Sequence, residues 1–212
     1  MKISEKDFEN TIEHYLLAFG PDADPAYEIR ESRSSEDAIN FGGFIKRLPK
    51  DYDRSLCLIQ EDIISFIQAT QPKEWQKYKK LFKDESKVHL LKRLSSEITR
   101  IGTLDVLRRG IKDSGCKFKL CYFQPSSTLN TENASHYQAN IFSVVRQLRY
   151  SLSDENQEHQ KSLDLAIFLN GLPIFTAELK NPLTGQTVQN AITQYRKTRD
   201  PREPLFTLGR CL

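Results

Sequence analysis

Between Leu163 and Lys180 the chain carries two apolar runs hinged on Asn170-Gly171, and no other stretch limits the fold so tightly. Asn-Gly between alternating apolar segments is the strongest short-range hairpin signal, because both residues tolerate the positive φ that a two-residue turn demands. Pro173 suits the start of the returning strand, where its missing N–H costs nothing. The same stretch holds three charged side chains, Asp164, Glu178 and Lys180. Side chains alternate along a strand, so Glu178 and Lys180 share a face. Register decides whether Asp164 joins them. A two-residue loop at 170–171 sets Leu163 opposite Glu178. A three-residue loop at 170–172, with a bulge at Gly171, sets Asp164 opposite Glu178 and gathers Leu163, Leu165, Ile167, Leu169, Phe175, Ala177 and Leu179 on one apolar face. A one-residue slip loses that match, so burial favours the second register.

Two facing carboxylates on apolar strands are costly, since like charges about 5 Å apart repel and raise one pKa. A divalent cation removes the penalty, and Mg²⁺ typically uses one or two carboxylates plus substrate phosphates and waters. The arrangement therefore predicts that Asp164 and Glu178 hold Mg²⁺ against a scissile phosphate. Lys180 would orient or deprotonate the attacking water and offset developing charge. The plainer alternative is a surface salt-bridge group, worth about 0.2–1 kcal/mol per pair. Glu-x-Lys alone is weak, since Glu85-Ser86-Lys87 repeats it in a polar turn. The apolar strands and the helix that follows favour a site.

The rest of the chain alternates helical and extended patterns. Residues 4–19 read as an amphipathic helix, opened by a capping-box-like Ser4/Asp7 pair, with Phe8, Ile12, Tyr15, Leu16 and Phe19 on its apolar face. Residues 21–54 read as loop with a short strand near Ala26–Glu31. Four helices are expected over about 55–110, around Leu56–Ile67, from Glu74 through Phe82, over Val88–Ile98 closed by Gly102, and over Thr103–Arg109. A strand over Lys117–Phe123, a polar loop at 124–138, a strand over Ile141–Tyr150 and a charged loop at 151–161 lead to the hairpin. Asn181-Pro182 ends it, and a helix over 187–199 follows, with Val188, Ala191, Ile192 and Tyr195 facing inward. The predicted class is α/β, a mixed central sheet flanked by helices, in one domain over 1–212.

Several functions are excluded or unsupported. No apolar run approaches the ~18–20 residues of a membrane span. The net charge of +3 is too mild to argue for nucleic acid by itself. Cys57, Cys116, Cys121 and Cys211 form no C-x-x-C pair and read as reduced thiols of a cytoplasmic protein. The four histidines are scattered, without zinc-site spacing. Gly110–Lys117 lacks the Lys-Ser/Thr of a P-loop and reads as a turn.

The string from Asp164 through Asn170-Gly171 to Glu178-Leu-Lys180-Asn-Pro182 resembles the nuclease segment of the R subunit of type I restriction enzymes, in the PD-(D/E)-x-K superfamily. Ala139–Gln147, Gln194–Phe206 and the opening Ser4–Glu9 are similar to that family as well, so the resemblance spans nearly the whole chain. It implies a restriction-endonuclease-like fold and Mg²⁺-dependent cleavage of double-stranded DNA, with Mn²⁺ as substitute. Asp164 and Glu178 would be metal ligands and Lys180 the catalytic lysine. The first helix could add an acidic residue, Glu9 before Glu13. The resemblance also implies methyltransferase and specificity subunits as partners. ATP would be used only by a motor that follows the nuclease in such R subunits, so the chain reads as a nuclease domain from a longer protein. Family members often carry Gln-x-x-x-Tyr after the lysine, and no Gln in 186–194 has Tyr four residues on. Gln189, Gln194 and Tyr195 stand in the corresponding helix and are the expected DNA contacts, joined by the cations Arg196, Lys197 and Arg199, with Arg202 nearby. Favourable charge at a helix C-terminus would explain the same cations. Two alternatives remain: another nuclease of the superfamily, of repair or resolving type, and a non-catalytic docking module with structural carboxylates.

Overall fold

The computed structural model describes residues 5–20, 43–126, 131–152, 161–180, 187–193, 196–197, 199–207 and 209–211. In chain order its elements are α1 (Glu5–Ala18), β1 (Ile45–Arg47), β2 (Tyr52–Asp53), β3 (Leu58–Ile59), α2 (Gln60–Thr70), α3 (Pro72–Phe82), α4 (Ser86–Ile101) and α5 (Thr103–Arg109). There follow β4 (Ile111–Asp113), β5 (Cys116–Phe118), α6 (Thr131–Gln138), β6 (Phe142–Arg149), β7 (Ser162–Leu169), β8 (Leu172–Ala177) and α7 (Val188–Thr193). The class is α/β: a mixed four-stranded sheet in the order β1-β6-β7-β8, with β1 parallel to β6 and the other pairs antiparallel. This is consistent with a restriction-endonuclease-like fold.

The hairpin tip shows why Asn-Gly stands there. Asn170 and Gly171 both adopt positive φ, 49° and 80°, as a tight two-residue turn requires. The buried Asn170 side chain accepts from Ile141 N–H at 2.7 Å and donates to the Leu120 carbonyl at 2.8 Å and to Asn140 Oδ1 at 2.9 Å. Ile59 N–H donates to the Gly171 carbonyl at 2.9 Å, and a Cβ on Gly171 would lie 2.3 Å from the Ile59 carbonyl oxygen. The tip is thus stapled to three segments through backbone groups that need partners when buried.

The loop length differs from expectation, yet the far register is the expected one. Leu169 pairs with Leu172 across a two-residue turn, and a bulge between Ile167 and Phe168 absorbs one residue of β8, so that Leu165 pairs with Ala177. The bulge supplies the one-residue shift that a longer loop would have supplied. β7 is also buried on both sides: Leu163, Ala166 and Phe168 are fully covered, whereas Phe175 stays half exposed. A central strand covered on both faces reads as a continuous apolar run, which is why alternation alone does not predict its partners.

Two apolar clusters flank the sheet. α2, α3 and α4 bury Phe66, Tyr78, Leu90 and Leu94 with Phe118, Leu169 and Leu172. Tyr52, Val145, Leu148, Tyr150, Leu163, Phe168 and Leu205 form the second. The helical stretch expected over 55–110 matches α2–α5. The expected strand over Lys117–Phe123 stops at Phe118, because Gln71 takes both the N–H and the carbonyl of Lys119, and Asn140 takes those of Tyr122. The turn at 110–117 is a full hairpin, β4–β5, and the polar stretch expected as loop holds α6.

The last helix also differs. α7 is described over Val188–Thr193, where it buries no residue and leaves Val188 and Ile192 exposed, so these side chains and the part-exposed Ala191 do not face inward. Leu205 and Phe206 pack on Tyr150 instead and take the cover that the helix was expected to give. The Ser4 cap, the strand near Ala26–Glu31, most of the loop at 151–161, Asn181-Pro182, Gln194 and Tyr195 lie outside the described residues. All four cysteines are free, and burial pushes the thiols of Cys57 and Cys116 up and that of Cys121 up to about 11. Among the described residues no helix is long and apolar enough to cross a membrane.

Candidate active site

The open end of the β7–β8 hairpin collects the charged residues. Extending the Leu165–Ala177 register by one residue sets Asp164 opposite Glu178, just past the end of β8. The Leu179 N–H donates to Asp164 Oδ2 at 2.7 Å, so the Asp164 side chain bridges the two chains where the ladder ends. Lys180 follows, half buried.

On the other side of Asp164 the sheet is deliberately irregular. β6 pairs Arg146 with Leu165 and Leu148 with Leu163, skipping Gln147, which adopts φ 49°. A left-handed conformation costs a non-glycine residue about 1–2 kcal/mol. The side chain recovers contacts: Gln147 Nε2 donates to Asp164 Oδ1 at 3.3 Å and to Glu9 Oε1 at 3.2 Å, and its Oε1 accepts from Ser162 at 3.2 Å. Backbone strain of this kind clusters at functional sites. The sequence gives no sign of it, since Gln147 sits mid-strand among ordinary β-formers.

Glu9 reaches the site because α1 docks by its acidic face. Glu9 and Glu13 are buried while Phe8 and Tyr15, two residues of the apolar face expected from periodicity, are exposed and Ile12, Leu16 and Phe19 are half buried. Arg146 explains why the two carboxylates are covered. Its guanidinium donates to Glu9 at 2.7 Å and to Glu13 at 3.2 Å, and Lys46 adds a contact to Glu13 at 2.9 Å. Burial works against the charged guanidinium, yet the hydrogen bonds to Glu9 and Glu13 outweigh it and raise the Arg146 pKa. Arg146→Ala would leave two nearly buried carboxylates without their main cation. The expected loss is about 3 kcal/mol, measured by urea unfolding, because removing one partner of a buried pair strands the other. An unchanged midpoint would show that α1 docks by other contacts.

Glu178 already has a cation. Its side chain is 2% exposed and pairs with Arg199, itself 8% exposed. Arg199 also donates to the Tyr150 hydroxyl at 2.7 Å and to the Ser162 carbonyl at 2.8 Å. Arg199, expected among the DNA contacts, is therefore turned into the protein. Gln189, Arg196 and Lys197 are exposed, as a contact surface requires. Arg202 is engaged with Asp200 at 2.9 Å.

Among the described residues no three His, Cys, Asp or Glu side chains converge to hold an ion. The donor chemistry of Asp164 and Glu178 nonetheless fits a hard divalent cation, which needs one or two carboxylates and completes its shell with water and phosphate. Glu9 is one hydrogen-bonded residue removed, through Gln147.

No curated protein and no solved structure matches the chain. The family model of the type I restriction enzyme R protein N terminus matches residues 3–210, nearly the full length. The chain thus belongs to the family of type I restriction enzyme R protein N-termini.

Proposed function

We propose that the chain is a Mg²⁺-dependent DNA endonuclease domain, cutting phosphodiester bonds within a type I restriction complex. The observation that supports the reading is the Leu165–Ala177 register, which carried one residue further sets Asp164 opposite Glu178, with Lys180 two residues on, in a chain of this family. Asp164 and Glu178 would hold Mg²⁺ or Mn²⁺, and the bound cation would supply Lewis acidity at the scissile phosphate. Lys180 would orient or deprotonate the attacking water and offset transition-state charge. Gln147 and the Leu179 N–H fix the Asp164 carboxylate, as supporting groups must if a ligand is to be preorganised. Arg199 would balance Glu178 while metal is absent and yield an oxygen when it binds. Arg196, Lys197 and Gln189 are the described candidates for backbone phosphate contacts, and Glu9 a water-bridged outer ligand. Double-stranded DNA and the methyltransferase and specificity subunits are the proposed partners, in the cytoplasm.

Metal removal tests the reading. The assembled enzyme should cut DNA in Mg²⁺, stop in EDTA, and recover with Mg²⁺ or Mn²⁺. Cutting that persists in EDTA would refute it.

A further inference from the structure

The near-neutral total charge hides a basic layer. Residues 72–119 hold fourteen Lys and Arg against six Asp and Glu, a net charge of +8, while the remainder holds seventeen against twenty-two, or −5. Most acids of that layer are engaged. Glu97 pairs with Arg93 and Arg100, and Asp105 pairs with Arg109. Asp113 accepts from the Tyr78 hydroxyl at 2.5 Å, and Glu74 accepts from the Lys117 N–H at 3.2 Å.

The β4–β5 hairpin concentrates the surplus. Lys112 and Lys117 are direct cross-strand partners, and both are exposed. Like charges directly opposite one another destabilise a sheet, so the hairpin tolerates a cost with no gain in folding. Lys77 donates to the Gly115 carbonyl in the turn at 2.7 Å. Arg93, Lys112 and Lys117 line an open cavity of about 560 Å³ beside that turn, in which Asp113 is the one carboxylate among the described residues. Four cations from α3, α4 and the hairpin thus meet around one turn.

We propose that this face docks the phosphate backbone of duplex DNA, with Lys112 and Lys117 each meeting a phosphate and Lys77 and Arg93 flanking them. The proposal rests on the nuclease reading and adds where the duplex is held. The layer packs on the hairpin tip through Leu169 and Leu172, whereas Asp164 and Glu178 lie at the opposite, open end. A duplex carries one charge per about 1.7 Å along its axis, so it suits cations spread over three elements better than a small anion does. Contacts of this kind position a duplex without reading its sequence.

The test is anisotropy of a labelled duplex titrated with the 212-residue chain at several salt concentrations. Lys112→Gln with Lys117→Gln should weaken binding about tenfold at low salt and reduce the slope of log affinity against log salt by about 1.8, two phosphates at about 0.9 each. Lys112→Arg with Lys117→Arg should keep the slope. The Gln pair should melt no lower than wild type, because it relieves repulsion. An unchanged slope in the Gln pair, absence of duplex binding by wild type, or equal competition by inorganic phosphate would overturn the proposal. Asp164→Asn should bind DNA with the wild-type slope. If it does not cut while the Gln pair binds normally, the docking face is wrong and the nuclease reading survives. If Asp164→Asn still cuts, the nuclease reading fails whatever the binding shows.

Discussion

Asp164→Asn in the assembled restriction enzyme is expected to lower DNA cleavage by roughly 10³-fold or more, the loss of about 4 kcal/mol of transition-state stabilisation, while the domain stays folded. Asparagine keeps the shape and an oxygen that can accept from the Leu179 N–H, so the bridge at the end of the ladder persists. Translocation on DNA should continue, because the substitution removes only an anionic ligand. Glu178→Gln should abolish cutting as well, but it should also lower the melting temperature. It leaves the nearly buried Arg199 guanidinium facing a neutral amide, with Tyr150 and the Ser162 carbonyl as its remaining partners among the described residues. Asp164→Asn is therefore the cleaner variant. Wild-type cutting by either one would refute the ligand assignment.

Lys180→Ala should abolish cleavage to a similar degree, by a different route. The proposed role of the lysine lies in the transition state, so the variant should still bind Mg²⁺ and still fail to cut at saturating metal. In the absence of metal its melting temperature should stay close to wild type. An uncompensated acidic pair would have predicted a larger loss, but Arg199 already balances Glu178. Full activity of Lys180→Ala at saturating Mg²⁺ would make the lysine a structural counter-ion and restore the plain salt-bridge reading of that residue.

The hairpin was legible because its signals are local. Asn-Gly demands one turn geometry, and the charged residues lie within a few positions of the strand ends. Its far register is the expected one, although the single apolar face used to choose it is not what is buried, and the means, a bulge near Ile174 in place of a longer loop, was not legible, since either device shifts the strand by one residue. α1 shows where periodicity misleads. Its apolar stripe is only half buried at Ile12, Leu16 and Phe19 and exposed at Phe8 and Tyr15, while Arg146, over a hundred residues away, draws Glu9 and Glu13 into the interface. Arg199 shows the same limit at the site. A cation in a basic cluster reads as a phosphate contact until the fold turns it onto Glu178. The strained Gln147 left no trace in composition or spacing. Each of these residues is decided by a partner distant in the chain, which local patterns do not encode.

Calorimetric titration of Mg²⁺ into the 212-residue chain and its variants tests the central claim most directly. A binding isotherm is read without other subunits and without cleavage. The account predicts a binding event in wild type, its loss in Asp164→Asn and Glu178→Gln, and its retention in Lys180→Ala. Mg²⁺ binding that is indifferent to Asp164 would contradict it.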